Sequence, residues 1–234
     1  MSVFHFKYFS IQQSNSALKV GTDAMLLGAS LADNAYHSIL DIGTGTGVLA
    51  LMAKQKNPLA KVTAIDIDTA SLIDCEFNFN HSPWASDFKI IQQNFLEFKP
   101  TTTYDCIVCN PPYYENGYLS NNSRTNTAKH VKEFAIEELF KKVNELLHPE
   151  GDFWVIFPFS SKENWLSLAQ SFGLYPKSQI TLNGKKDNPN RLIVQFCKTP
   201  QTVIYKTLTI RNSDNSYTKE YIELTKNFHN KSLI

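Results

Sequence analysis

Short apolar runs alternate with amphipathic stretches through most of the chain. Residues 37–43 (HSILDIG) form an apolar run closed by glycine and predict a strand. Residues 47–56 (GVLALMAKQK) have helical apolar spacing, and 61–68 (KVTAIDID) predict a second strand. A helix over 69–80 opens on a threonine, and strands follow at 88–94 and 104–110. The spacing predicts an amphipathic helix over 132–151, stopped by Pro149 and Gly151. Then come a strand at 152–158, a helix at 161–173 with Gly173 at its end, and strands at 178–182 and 191–196. The last two, joined by NGKKDNPN, predict an antiparallel hairpin at the sheet edge. Strands alternating with helices predict an α/β fold of the Rossmann-like kind. The expectation is a mostly parallel seven-stranded sheet with an antiparallel edge strand and helices on both faces.

At 234 residues the chain suits a single domain. Hydrophobic residues make up 42%, the share of an ordinary globular protein. No run approaches the roughly 18 apolar residues of a membrane span, and the first ten residues lack a signal-peptide pattern. A cytoplasmic monomer is therefore the expectation. Cys106 and Cys109 read as CxxC, but they lie inside an apolar run with no second pair or histidine cluster, so no metal is expected. Net charge is +1 but unevenly spread. Residues 1–176 hold 13 basic against 18 acidic side chains, and residues 177–234 hold 10 against 4. A basic C-terminal part on an acidic body suits contact with a polyanion, and equally a solvated basic face.

The stretch LDIGTGTGVLA (40–50) puts Gly43, Gly45 and Gly47 between the first strand and the first helix, with Asp41 just before them. Glycines there allow a tight turn and close approach of a ligand, and N–H groups at the helix start can hold an anion. The dinucleotide fingerprint needs glycine where Val48 stands, so the spacing departs from a pyrophosphate loop. It resembles the first motif of class I methyltransferases, whose ligand, S-adenosylmethionine (SAM), carries a carboxylate and no pyrophosphate. Asp66 ends the second strand 23 residues after Gly43, near the spacing of an acid that bonds ribose hydroxyls. Asp68 is its rival, and either could cap the next helix. Asn94, at the end of the third strand, stands where such enzymes often face the cofactor adenine.

The fourth strand ends in Asn110, Pro111, Pro112 and Tyr113. Prolines cannot continue a ladder, so this segment turns out at the carboxyl end of the sheet, where open α/β sheets bind ligands. A planar exocyclic amine is a weak nucleophile because its lone pair is delocalised into the ring. The Asn110 side-chain oxygen and the Pro111 carbonyl can accept its two N–H groups and aim the lone pair at a methyl donor. The prolines stiffen these acceptors, and Tyr113 offers a face for stacking. The chemistry asks for no metal and no strong base.

This NPPY resembles the fourth motif of amino methyltransferases acting on adenine N6 or on glutamine amides. The stretches KVGTDAMLLGA (19–29), LDIGTGTG (40–47), NPPYY (110–114), RTNTAKH (124–130) and YTKEYIELTKNFH (217–229) resemble the bacterial tRNA (adenine-N6)-methyltransferase family, which modifies adenine 37 of valine tRNA. The resemblance runs over nearly the whole chain. It implies SAM as cofactor, a tRNA substrate, and Gly21, Thr22 and Asp23 beside the SAM pocket. It also implies arginine where Lys129 stands. The stretch 21–29 reads equally as a capped amphipathic helix packing on the sheet. One methyltransferase domain over 1–234 is expected, with 1–36 as a lid and 177–234 as its basic part. Two rival readings remain. Protein glutamine methyltransferases carry a sizeable helical domain before the glycine loop, and only 40 residues precede Asp41. A catalytically inactive RNA-binding module would have no need of the glycine trio, Asp66 and Asn110 together.

Overall fold

A computed structural model describes residues 3–16, 19–111, 136–231 and 233. Two short strands, β1 (Val3–His5) and β2 (Ser10–Gln12), pair antiparallel at the start. Helix α1 (Thr22–Ser30) follows. The body runs β3 (Ser38–Ile42), α2 (Val48–Lys56), β4 (Lys61–Asp66), α3 (Thr69–Asn80), β5 (Phe88–Gln92) and β6 (Tyr104–Cys109). Residues 136–146 are helical (α4) and run into β7 (Leu147–Pro158). Then come α5 (Lys162–Ser171), β8 (Tyr175–Asn183), β9 (Pro189–Cys197), β10 (Ile204–Thr209) and α6 (Lys219–Thr225).

Strands β3 to β10 form one sheet of eight, in the order β10-β8-β9-β7-β6-β3-β4-β5. Side chains alternate across it, as the pleat requires. Ile39, Cys106, Val108, Trp154, Ile156 and Ile193 join the core under α1, α2 and α3. Leu40, Ile107, Cys109, Phe153, Val155 and Leu192 join the core under α4 and α5. Phe140 of α4 meets Phe153, Trp165 and Phe196 edge-on, with ring centroids 5.7–6.2 Å apart. Burying each such ring contributes about 1.5–3 kcal/mol to holding α4 and α5 on this face of the sheet. This layering explains why the strands read as continuous apolar runs.

Two expectations about the sheet change. It has eight strands, not seven, and its antiparallel member is not at the edge. Strand β9 runs between β7 and β8, antiparallel to both, and β10 then adds parallel to β8 as the edge. Of β10, only Leu208 is buried. An edge strand with one buried side chain shows no burial pattern in the sequence, and an exposed lysine on it (Lys206) deters further pairing. The helix expected to reach 151 ends at 146, because Leu147 already pairs with Tyr104. The ladder then shifts register and resumes at Cys106 and Asp152. Gly151 packs where a Cβ would lie 2.9 Å from the Asp105 carbonyl oxygen.

Cys106 and Cys109 fall on opposite faces of the sheet, three residues apart on one strand. They cannot share a ligand. Burial pushes both thiols up, so they behave as core side chains.

Candidate methyl-transfer site

Strand register brings three distant segments into one row. Ile42 pairs with Ile65 on one side and with Cys109 on the other. The next residue on each strand is therefore Gly43, Asp66 and Asn110, side by side at the carboxyl end of β3, β4 and β6. Neighbouring strands are about 4.8 Å apart, so the row spans roughly 10 Å. Asn110 and Pro111 are partly buried. Pro112, Tyr113, Arg124 and Lys129 lie outside the described residues.

The loop between β3 and α2 takes its shape from glycine. Gly43, Gly45 and Gly47 have φ of 67°, 54° and 80°, which side chains with a Cβ rarely adopt. A Cβ built on Gly43 or Gly45 meets nothing within 4 Å, so the outer side of the loop is open to a ligand. Gly47 is different: a Cβ there would lie 2.5 Å from the Phe79 ring, so this glycine lets α2 pack on α3.

Asp41 sits beneath the loop and is fully buried. Its Oδ2 accepts the Thr44 hydroxyl at 2.7 Å and the Ala50 N–H at 3.1 Å. A donor near the start of α2 thus goes to a side chain and is not left for an anion. Asp41 Oδ1 has no partner among the described residues. An open glycine cradle over an unpartnered carboxylate oxygen fits SAM, whose amino-acid end carries an ammonium group. Burial pushes the Asp41 carboxyl up to about 7, against the Thr44 and Ala50 donors that favour its ionised form. The folded state therefore favours the protonated acid. Its stabilising contribution is full below the unfolded value of about 3.9 and is lost as pH rises through about 7. Without SAM, the chain should resist denaturant better at about pH 5.5 than at about pH 8, and isosteric Asp41→Asn should shrink that difference. The same pH dependence in the variant would refute the assignment.

Asp66 is tied to the loop. Its Oδ2 accepts the Gly45 N–H at 2.8 Å, and its Oδ1 accepts the Asp68 N–H at 3.0 Å. Asp68 caps α3 instead, accepting from the Ala70 and Ser71 N–H groups and from the Ser71 hydroxyl at 2.6 Å. The Ser71 bonds hold its carboxyl below the usual range. Asn94 follows β5 and is exposed, and its side-chain oxygen caps the short turn Phe95–Glu97 at the Leu96 N–H, 3.1 Å away.

Gly21, Thr22 and Asp23 open α1, which begins on Gly21 with no side-chain cap. Asp23 accepts from Arg191 Nε at 2.9 Å, which ties this helix end to β9.

Two buried polar side chains of α3 were not legible as part of the site. Asp74 accepts the N–H groups of Asn15 and Ser16 at 2.7 and 2.9 Å and the Asn15 amide at 2.8 Å. These bonds hold its carboxyl below the usual range despite burial, which alone would raise it. Asn78 accepts the Gln12 N–H at 2.7 Å, and its amide donates to the Gln12 and Thr46 carbonyls, both at 2.9 Å. Together they fasten the segment after β2 to α3 and α3 to the glycine loop. The available signal was a polar pair four residues apart among Leu72, Cys75 and Phe79 on one helix face.

Comparisons with known proteins agree with this geometry. The family model "Methyltransferase small domain" matches residues 12–180. A tRNA1(Val) (adenine(37)-N6)-methyltransferase of Flavobacterium psychrophilum is 37% identical over 98% of this chain and 100% of its own length. One of Vibrio parahaemolyticus is 35% identical over 97% of this chain and 95% of its own. Among solved structures, a predicted O-methyltransferase of Agrobacterium tumefaciens superposes with a TM-score of 0.68 at 14% identity, over 88% of this chain and 96% of that one. That likeness gives the fold: a Rossmann-like class I methyltransferase with a mixed, mostly parallel sheet. Extending over nearly the whole length of both partners, the sequence identity places this chain in the tRNA1(Val) (adenine(37)-N6)-methyltransferase family.

Proposed function

We propose that this enzyme methylates N6 of an adenine in tRNA from SAM, and that the base is adenine 37 of valine tRNA. The carrying observation is the row of Gly43, Asp66 and Asn110 in a chain similar throughout to enzymes of that name. SAM, when bound, supplies a methyl group on a sulfonium centre. The glycine loop and Asp41 would hold its amino-acid end, Asp66 would accept from its ribose, and Asn94 would face its adenine. Gly21, Thr22 and Asp23 border the same region through α1. The Asn110 oxygen and Pro111 carbonyl hold the two protons of the target amine, which points the nitrogen lone pair at the methyl carbon. As the N–C bond would form and the S–C bond to the methyl break, leaving neutral S-adenosylhomocysteine, positive charge would grow on nitrogen; both acceptors would stabilise it until one amine proton is released to water. Pro112 and Tyr113, outside the described residues, would stiffen the acceptors and offer a face for the ring.

The whole chain acts as one domain in this reading, with residues 1–36 as a lid and 177–234 as the basic part. Strands β8, β9 and β10 complete the same sheet as the glycine loop. Among the described residues no helix is long and apolar enough to cross a membrane. A cytoplasmic monomer suits the four free, buried cysteines and a tRNA substrate. Transfer of tritium from labelled SAM to bulk tRNA tests the activity and separates it from an inactive RNA-binding module. Nucleoside mass spectrometry of tRNA from a strain lacking the gene tests the position. Persistence of every N6-methyladenosine species there would contradict it.

Part of the basic segment is paired within the protein. Lys177 meets Asp152, Arg191 meets Asp23 and Lys226 meets Glu223. Lys185 and Lys186 are exposed in the β8–β9 turn, at the carboxyl end of the sheet. Reversing both to Glu should weaken tRNA binding several-fold and lower the salt slope by about 1 per lost phosphate contact. SAM affinity should hold. Unchanged tRNA affinity at two salt concentrations would make them a solvated face only.

A further inference from the structure

A cavity of ≈ 250 Å³ opens between the start of α1, the β8–β9 turn and the segment after β10. Leu26, Leu182 and Ile210 form its apolar side. Asn190, Arg191, Arg211 and Tyr217 supply the polar rim. Both guanidinium groups are held in place. Arg191 donates to Asp23 at 2.9 Å and to the Asn190 carbonyl at 3.1 Å. Arg211 lies 4.2 Å from the Tyr217 ring centre and donates to the Asn215 carbonyl at 2.7 Å and the Tyr217 hydroxyl at 3.1 Å. Tyr217 in turn stacks on Tyr221, with centroids 4.5 Å apart and planes 11° from parallel.

The cavity stands near the candidate site. Arg191 pairs with Pro158 at the end of β7, and β9 lies two strands from β6, roughly 10 Å away, whereas Leu182 on β8 and Ile210 and Arg211 after β10 stand three and four strands away, roughly 14–19 Å. Ile193 packs on the α1–α2 side of the sheet, so Arg191 shares that face. Cys106 and Val108 do as well, and the same alternation gives Asn110 this face. Lys185 and Lys186 stand at the cavity's outer turn.

Fixed guanidinium groups beside an apolar side chain are used by proteins to hold unpaired bases, whose edges are bonded by polar groups. We propose that this cavity takes an unpaired nucleotide of the same tRNA loop, two or more positions from the target adenine. The base lies against the half-buried Ile210 and the Arg211 guanidinium. Asn190, with both a donor and an acceptor, reads its edge, and the flanking phosphates face Lys185 and Lys186. This rests on the tRNA adenine reading above and adds a second subsite to it.

The probe is the unmodified anticodon stem-loop of valine tRNA, together with versions abasic at one loop position at a time, the target adenine kept. The full chain is titrated by fluorescence anisotropy. For the parent enzyme, one abasic position should weaken binding roughly tenfold. Arg211→Gln should weaken the intact stem-loop by a similar factor and add nothing on that abasic version, because both changes remove the same contact. Asn190→Asp changes an exposed rim residue and should also weaken the intact stem-loop. SAM affinity should be kept in both variants. Two variants that bind the intact stem-loop like the parent would overturn the proposal, as would additive losses at every abasic position. A parallel fall in SAM affinity would assign the cavity to the cofactor instead. If Arg211→Gln fails to fold, Asn190→Asp decides alone. Methylation of the intact stem-loop by the parent, followed in the same samples, keeps the two readings apart. Methylation with unaltered variant binding defeats only the cavity assignment, whereas neither methylation nor binding by the parent defeats the tRNA reading and this one with it.

Discussion

Asn110→Ala should lower turnover by at least about a hundredfold while SAM affinity stays nearly unchanged. The expectation follows from where the residue sits and what an adenine amine needs. Asn110 is the first residue beyond β6, beside Gly43 on β3, in the row that faces the carboxyl end of the sheet. It is partly buried, and a proline on its C-terminal side fixes its backbone direction. In the ground state the amine nitrogen is nearly planar and its lone pair belongs to the ring. An acceptor for one of its protons matters most as charge develops on nitrogen, so its loss appears in kcat more than in KM. Alanine removes the acceptor without touching the glycine loop or Asp66. Asn110→Asp is the informative companion: it keeps an acceptor at the same reach, so it should retain more activity than alanine. Single-turnover methylation of tRNA at saturating SAM separates chemistry from binding. Near-normal turnover in the alanine variant would end the amine-orienting role.

What the sequence showed and what it hid divide along a physical line. Strands β3 and β6 are largely buried on both faces and β4 at Val62, Ala64 and Ile65, so each reads as a mostly apolar run. The residues that end them, Gly43, Asp66 and Asn110, stand out as a glycine or a polar side chain closing each run. Strand β10 was hidden because one buried side chain leaves no pattern. The place of β9 inside the sheet was hidden because order in a sheet depends on pairing partners far away in the chain. Asp74 and Asn78 belong to no motif, and polar residues on a helix are mostly solvated. They are buried only because the segment after β2 folds back over them, and that closure is tertiary. Charge could not be apportioned among the basic residues for the same reason. The C-terminal excess is visible as a count, yet Lys177, Arg191 and Lys226 have acidic partners from other elements or a neighbouring turn. Only the fold separates those from Lys185 and Lys186. The choice between Asp66 and Asp68 was open in the sequence because both follow the same strand. Their partners differ: Asp68 faces back to cap α3, while Asp66 reaches the glycine loop.

Asp66→Ala should weaken SAM binding by about 1–3 kcal/mol, the range for losing a charged hydrogen-bond acceptor, and leave tRNA affinity intact. Two effects are folded into that number. Asp66 accepts the Gly45 N–H at 2.8 Å, so its removal also frees the loop that cradles the ligand. A direct ribose contact and a loosened loop are separable with a ligand that lacks one ribose hydroxyl. If Asp66 accepts from the ribose, the 2′-deoxy or 3′-deoxy analogue of S-adenosylhomocysteine should already bind weakly to the parent. The Asp66→Ala penalty should then shrink for that analogue, since the contact is missing in both. If Asp66 acts only through the loop, the penalty should be the same for both ligands. Asp68→Ala serves as the contrast, because it removes the cap of α3 and should cost some stability with little change in SAM affinity. Calorimetric titration of the three proteins with both ligands reads all of this. Equal SAM affinity in Asp66→Ala and the parent would take the ribose role away from Asp66, and a selective loss in Asp68→Ala would transfer it.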